Sequence, residues 1–201
     1  MRKLLVTSFV TLDGVVQAPG GPEEDESGAF PFGGWAFPYW DDVLDQTMAE
    51  IMGVPFDLVL GRRTYDIFAA YWPTAAEEAG GKPLNDATKY VASRGTPSLT
   101  WDRSVRIEGD VAESVAQLKQ EDGPELQIHG SGNLIQTLMA NGLIDEYRLS
   151  VFPVVLGTGK RLFAEGTVPA ALRLTDSRVS TTGVVIGTYQ PAGEVQTGSF
   201  G

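Results

Sequence analysis

Two short glycine-bearing stretches carry the residue types needed to grip an anion. Gly61-Arg62-Arg63-Thr64-Tyr65 follows the apolar Leu58-Val59-Leu60 and precedes a helical pattern through Ile67 and Phe68. A strand feeding a glycine turn and then a helix start offers unpaired N–H groups to an anion, and the helix dipole adds to the attraction. Arg62 and Arg63 supply charge for a phosphate; the plain alternative is a tight turn with two solvated arginines. Gly130-Ser131-Gly132-Asn133 stands in the same relation to an apolar stretch, Leu126 to Ile128, and to the helix after it. Its glycines let a pyrophosphate approach the backbone, or they serve only the packing of a helix start. It is not a Rossmann fingerprint, because Ile135 takes the third small position and no acid ends a following strand where a ribose hydroxyl would want it. A third stretch, Ser93-Arg94-Gly95, offers a hydroxyl and a guanidinium suited to a phosphate monoester, or is an ordinary polar turn.

Two other motifs are set aside. Gly157-Thr158-Gly159-Lys160 has Val154 where a Walker loop needs its first glycine and Arg161 where it needs a hydroxyl. His129 and Ser131 lie two apart without a nucleophile elbow, so His129 reads as a structural histidine at a strand end.

The elements that must position these turns follow from periodicity. Leu4 to Val10 reads as a buried strand, and Val59-Leu60, Tyr90-Val91, Leu126 to Ile128 and Tyr147 to Val155 are the centres of further strands. Asp41 or Asp42 caps a helix running to about Met52, ended by Gly53. Asp110 caps a second with Val111, Val115 and Leu118 on one stripe. Ser131 or Asn133 opens a third, which buries Leu134, Ile135, Leu138 and Met139 and stops at Asn141-Gly142. Alternating strands and helices imply an α/β fold with a mainly parallel sheet flanked by helices. Leu172 to Ser180 and Val184 to Tyr189 form a C-terminal antiparallel hairpin. One domain over residues 1–190 and a tail over 191–201 account for the chain.

Bulk properties bound the partners. The 201 residues are 42% hydrophobic and 20% charged, with no apolar run of the roughly 20 residues that a bilayer crossing needs. The expectation is a soluble, cytoplasmic protein, and the absence of cysteine fits a reducing compartment. A single histidine and no cysteine argue against a metal site. A net charge of -11 argues against nucleic acid and anionic membrane as partners. Any anionic ligand must be met by local positive groups.

Taken in order, Val6 to Gly14, Leu58 to Tyr65, Lys89 to Arg94 and Ile128 to Leu134 resemble the dihydrofolate reductase superfamily. With Gly142 to Tyr147 and Pro153 to Gly157, they look more closely like the reductase (C-terminal) domain of bacterial riboflavin-biosynthesis enzymes and its stand-alone relatives. The resemblance spans about Met1 to Tyr189. It implies a dihydrofolate-reductase-like fold that holds NADPH across the carboxyl ends of the parallel strands. Gly61, Arg62, Arg63 and Thr64, Ser93 and Arg94, and Gly130, Ser131, Gly132, Asn133 and Leu134 would then hold its phosphates. Leu12-Asp13-Gly14-Val15 would cover the nicotinamide. Folate reductases often have a cis peptide between two glycines at the second turn, which corresponds here to Gly130-Ser131.

On the substrate side, folate reductases place one carboxylate on the first helix; Asp45, shortly after Trp40, is the best candidate, with Asp41 and Asp42 behind it, unless Asp41 and Asp42 are only caps and Asp45 a solvated face. Asp13 belongs to the first loop of the riboflavin-type enzymes, and Lys160 and Arg161 are the cations available for a substrate phosphate. The implied activity is NADPH-dependent hydride transfer to C=N or C=O of a small heterocycle, of the dihydrofolate reductase or phosphoribosylaminouracil reductase type. The alternative is a non-catalytic NADPH-binding or regulatory protein on the same fold. Six aromatics between Phe30 and Trp40, at the end of the long Pro19–Pro38 loop, form either a substrate-side wall or a core plug. A homodimer is expected, because the strand Tyr147–Val155 would leave a long apolar edge to cover and the riboflavin-type relatives are dimers.

Overall fold

An apolar run with no polar face belongs where both sides of a sheet are covered, and the first strand occupies such a place. The computed structural model describes residues 1–75 and 80–200. Its strands are β1 (Leu4–Thr11), β2 (Phe56–Gly61), β3 (Lys89–Ala92), β4 (Ser104–Arg106), β5 (Glu125–His129), β6 (Glu146–Phe152), β7 (Leu172–Val179) and β8 (Val185–Pro191). The helices are α1 (Asp42–Met52), α2 (Arg62–Tyr71), α3 (Gly81–Asp86), α4 (Val111–Gln120) and α5 (Gly132–Ala140), with a 3-10 turn at Phe37–Tyr39. The strands form one sheet in the order β4-β3-β2-β5-β1-β6-β8-β7. Pairing is parallel from β4 to β6 and antiparallel between β6, β8 and β7. This is the expected α/β architecture, down to the C-terminal hairpin. No helix among the described residues is long and apolar enough to cross a membrane.

Alternation sorts the side chains onto two faces. Leu4, Val6, Val10, Val59, Leu126, Ile128, Tyr147 and Leu149 pack with Val115 of α4 and Leu134, Ile135 and Leu138 of α5. The opposite face carries α1, α2 and α3: Leu44 packs with Phe152, and Tyr65 and Leu84 pack with Phe56, Leu58 and Leu60. Helix starts are fixed by short acids. Asp41 accepts from Leu44 N at 3.1 Å, and Asp110 accepts from Ala112 N and Glu113 N at 2.9 and 3.0 Å; each such cap stabilises by about 1 kcal/mol.

One expectation needs correction. β6 is not an edge, because it pairs with β1 on one side and β8 on the other, so it offers no exposed strand for a second subunit to cover. The edges are β4 and β7. β4 and α3 had no clear sequence signal: one is three residues long and the other spans six, both too short for a period to show. Backbone pairing continues just past β8. Ala192 donates to Ala171 O and Ala171 donates to Gly193 O, which extends the ladder to Gly193; residues 194–200 are exposed without regular structure, and Gly201 lies outside the described residues.

His129, the only histidine, ends β5 on the α1 face and is buried. The Glu125 carboxylate can only accept, so the Gln127 amide donates Nε2–H to it at 2.7 Å, leaving Gln127 Oε1 to accept from His129 Nε2 at 2.9 Å. Burial, with the Arg148 charge as the lesser cause, pushes the imidazole down to about 4. Folded His129 therefore stays neutral while the unfolded residue protonates near 6.5. Stability from this group is complete above the unfolded value and is lost as pH falls from about 6.5 through about 4. Since one pKa unit equals about 1.4 kcal/mol, the loss should be on the order of 3 kcal/mol. Denaturant melts of wild type and His129→Gln between pH 7 and 4 check this; an equal pH slope in both proteins would assign the loss to other groups.

Candidate functional site

The strand order fixes where a ligand can enter. Between β2 and β5 the winding reverses: the chain leaves β2 through α2 toward β3, but leaves β5 through α5 toward β6. Adjacent strands whose connections depart in opposite directions open a crevice at their carboxyl ends, the usual ligand site of such sheets. Here it lies between Gly61, the residue capping α2, and Ser131, the residue capping α5. Helix geometry leaves the first-turn amides of both helices without intrahelical partners.

The two turns touch. Ser131 Oγ accepts from Gly61 N at 2.9 Å and donates to Thr64 Oγ1 at 2.9 Å. A Cβ on Gly61 would stand 3.3 Å from Ser131 Oγ, and one on Gly130 would stand 3.5 Å from Thr64 Oγ1. A third segment closes in, since a Cβ on Gly132 would meet Arg161 O at 3.5 Å and Arg161 forms a bridge with Val15. The register of β2 with β3 pairs Gly61 with Ala92, so Ser93 and Arg94 leave the sheet at the strand end beside Gly61. The sequence-selected turns thus share one rim.

Arg62, Arg63 and Lys160 on that rim are already engaged. Among the described residues, Arg62 pairs through Nε, 2.7 Å from both oxygens of Asp66. Arg63 Nη2 and Lys160 Nζ each lie 2.6 Å from opposite oxygens of Asp25. Asp25 is 8% exposed and also accepts from the Ser27 N–H and hydroxyl. Burial would raise its pKa, but Lys160, Ser27 and Arg63 outweigh that and hold it down at about 2.

The first loop is held by Asp13. Thr11 Oγ1 donates to it at 2.5 Å, and the Leu156 and Gly157 amides donate at 3.2 and 2.8 Å. These contacts, Thr11 foremost and then the two amides against the cost of burial, keep its carboxyl below the ordinary value. Gly14 takes a left-handed φ of +85°, and the fully buried Val15 packs into the core with both backbone groups bonded to Thr11.

The sequence matches the RibD C-terminal domain family over residues 2–186. This chain belongs to the RibD C-terminal domain family. Among its relatives, the uncharacterized protein YyaP of Bacillus subtilis is 32% identical over 190 residues, covering 92% of each chain. YwjB of the same organism is 35% identical over 122 residues, covering 60% of this chain and 66% of its own. The fold is shared with a putative riboflavin biosynthesis protein of Shewanella sp. PV-4, at TM-score 0.67 and 20% identity over 94% of this chain and 99% of the other. It is shared also with the dihydrofolate reductase of Enterococcus faecalis in complex with NADP(H), at TM-score 0.59 and 16% identity over 94% and 96%.

Within this RibD C-terminal domain the second turn carries Ser131 in place of a second glycine. Ser131 has φ +60°, and no peptide bond among the described residues is cis, Gly130–Ser131 included. On the α1 side, Trp40 donates Nε1–H to Asp45 Oδ1 at 2.6 Å and sets its ring edge-on to Phe9 at 5.6 Å. Thr7 pairs with His129, so Phe9, two residues on, lies beside the turn that follows His129. Asp45 and Trp40 are exposed, whereas Asp13 faces backbone. Phe30 and Trp35 are buried in the core around Phe152, so these two plug the domain's own interior. Phe32, Phe37 and Trp40 remain exposed.

Asp25 was not singled out in the sequence. Its signal was the acidic knot Glu23 to Glu26 in a protein whose rim cations needed partners. Because its carboxylate stays charged down to pH about 2, Asp25 latches the 16–36 loop to α2 and to Lys160 throughout the neutral range. Asp25→Asn should therefore speed limited proteolysis within residues 19–34 severalfold at pH 7. An unchanged cleavage pattern would show that Phe30 and Trp35 hold the loop without it.

Proposed function

We propose that the chain is an NADPH-dependent oxidoreductase reducing a C=N or C=O carbon of a small planar heterocycle, of the pteridine or ribosylaminopyrimidine class. The observation that carries this reading is the convergence of the Gly61 and Gly130 turns, with Ser93 and Arg94 alongside, at the winding reversal of the sheet. Two helix starts aimed into one crevice suit two linked phosphates, and the glycines let those phosphates approach the backbone. When bound, the nicotinamide supplies the hydride. The chain's own residues do the rest: Arg62, Ser93 and Arg94 take a 2′-phosphate, the first-turn amides of α2 and α5 take the pyrophosphate, and the Leu12–Val15 loop excludes water. Arg62 suits this role because, among the described residues, it pairs with Asp66 through Nε rather than through Nη.

Phe9 and Trp40, edge-on to each other, form an aromatic corner against one face of which a flat ring can lie, and Asp45 stands at its end. With Oδ1 held by the Trp40 indole, Asp45 Oδ2 is directed to a ring N–H, fixing the substrate's orientation. Asp13, committed to the 156–157 backbone, leaves Asp45 as the carboxylate of this corner. That same economy of polar groups favours the second reading, a non-catalytic NADPH-binding protein. The two are separated by following NADPH oxidation with dihydrofolate and with the riboflavin-pathway aminopyrimidine: turnover of either supports the enzyme, and NADPH binding without turnover of pterin, pyrimidine or carbonyl compounds supports the binder.

NADPH should bind more tightly than NADH, and Arg62→Ala should weaken NADPH about tenfold while leaving NADH nearly unchanged, because only NADPH carries the 2′-phosphate. Equal affinities in titrations of the wild type would remove this assignment. Trp40→Ala and Asp45→Asn should lower turnover while sparing NADPH affinity, since donor and acceptor occupy different walls of one cleft. Full turnover in both variants would place the substrate elsewhere.

A further inference from the structure

Ser131 is a residue in the wrong conformation for its type. Gly130 and Ser131 both have φ +60°, and the left-handed region is costly for any residue with a Cβ. A glycine at 131 would relieve that cost, so the serine needs a reason to be there. Capping is not the reason: Ser131 stands at the N-cap of α5, yet its side chain makes no cap hydrogen bond.

Its hydroxyl instead reaches 70 residues back in sequence to the other turn. It accepts the Gly61 N–H and gives its one proton to Thr64 Oγ1, both at 2.9 Å. The His129 carbonyl, at 3.5 Å, is too far to compete. Gly61 Cα and Ser131 are close enough that a Cβ on Gly61 would sit 3.4 Å from Ser131 Cβ. One hydroxyl, in van der Waals contact with the facing turn, therefore ties the starts of α2 and α5 together. The left-handed backbone is what turns Oγ away from its own helix and toward Gly61.

We propose that Ser131 is a positioning residue, a clamp that sets the spacing of the two anion-binding turns so that both engage one dinucleotide. This rests on the NADPH reading above. Ser131 itself spends its hydroxyl on the protein and offers none to the ligand; its effect passes through the Gly61 and Gly130 turns. A clamp of this kind matters for a ligand that spans both turns and little for one that occupies a single turn.

The test compares wild type, Ser131→Gly and Ser131→Ala by melting temperature and by titration with NADPH, which spans both turns, and with 2′-AMP, which carries a single phosphate. Ser131→Gly removes both the strain and the clamp, so it should melt at or above the wild-type temperature while binding NADPH about tenfold more weakly. Its 2′-AMP affinity should stay within about twofold. Ser131→Ala keeps the strain and should lose NADPH affinity similarly while melting lower. Equal losses for NADPH and 2′-AMP would make Ser131 a direct contact and overturn the clamp, and so would unchanged NADPH affinity in Ser131→Gly. A wild type that binds 2′-AMP but gains nothing from the rest of NADPH would overturn the two-turn reading itself.

Discussion

Everything at the candidate site depends on the reversal of winding between β2 and β5. A parallel sheet built in one direction would send every helix start to the same side and leave no gap between neighbours. Inserting β5 between β1 and β2, with a crossover of opposite direction, puts α2 and α5 on opposite faces and makes their first turns face each other across a single strand spacing of about 4.8 Å. At that distance there is room for a glycine against a small side chain and nothing larger. Gly61, Gly130, Ser131 and Thr64 are the outcome of that packing limit, whatever ligand the crevice takes.

The positive groups of the rim follow from a second constraint, the acidity of the chain. With 15 basic against 26 acidic residues, arginines and lysines near a ligand site find carboxylates as neighbours. Arg62 has Asp66, Arg63 and Lys160 share Asp25, and Arg161 lies 3.7 Å from Asp13. A ligand phosphate enters a set of existing ion pairs, so the affinity it gains is the difference between two charged partners. Exposed pairs such as Arg62–Asp66 are worth little to the fold and yield readily. The Asp25 pairs, with the carboxylate buried, are held much more firmly.

Long periodic elements were legible in the sequence for plain physical reasons. Asp41, Gly53 and Asp110 mark helix ends because a short acid or a missing side chain solves a local backbone problem, and the solution needs no distant partner. The Gly61 and Gly130 turns were legible because each sits between an apolar run and a helical pattern. What was hidden is whatever needs partners remote in sequence. Nothing local distinguishes Asp25 from Glu23 or Glu24, and its role comes from Arg63 and Lys160, 38 and 135 positions away. β6 reads as a long apolar strand in any position, and only β8, arriving from the hairpin, makes it interior. Asp13 belongs to a loop that family resemblance places over a ligand, yet both its oxygens face the backbone of residues 156 and 157.

The long segment between Val16 and Trp40 is anchored by Phe30, Trp35, Ala18 and Ala36 in the core, by the buried Gln17 side chain on the Asp25 and Ser27 carbonyls, and by Asp25 on two cations. Closing a loop costs only slowly more as it lengthens, roughly 0.6 kcal/mol for each doubling. The exposed positions between those anchors, such as Glu23, Glu26 and Pro31, bear on the sheet least. Such a segment is where descendants of one ancestral scaffold can diverge in what they accept while keeping the same crevice, so variation among relatives should concentrate at its exposed positions and spare Asp25, Phe30 and the two glycine turns.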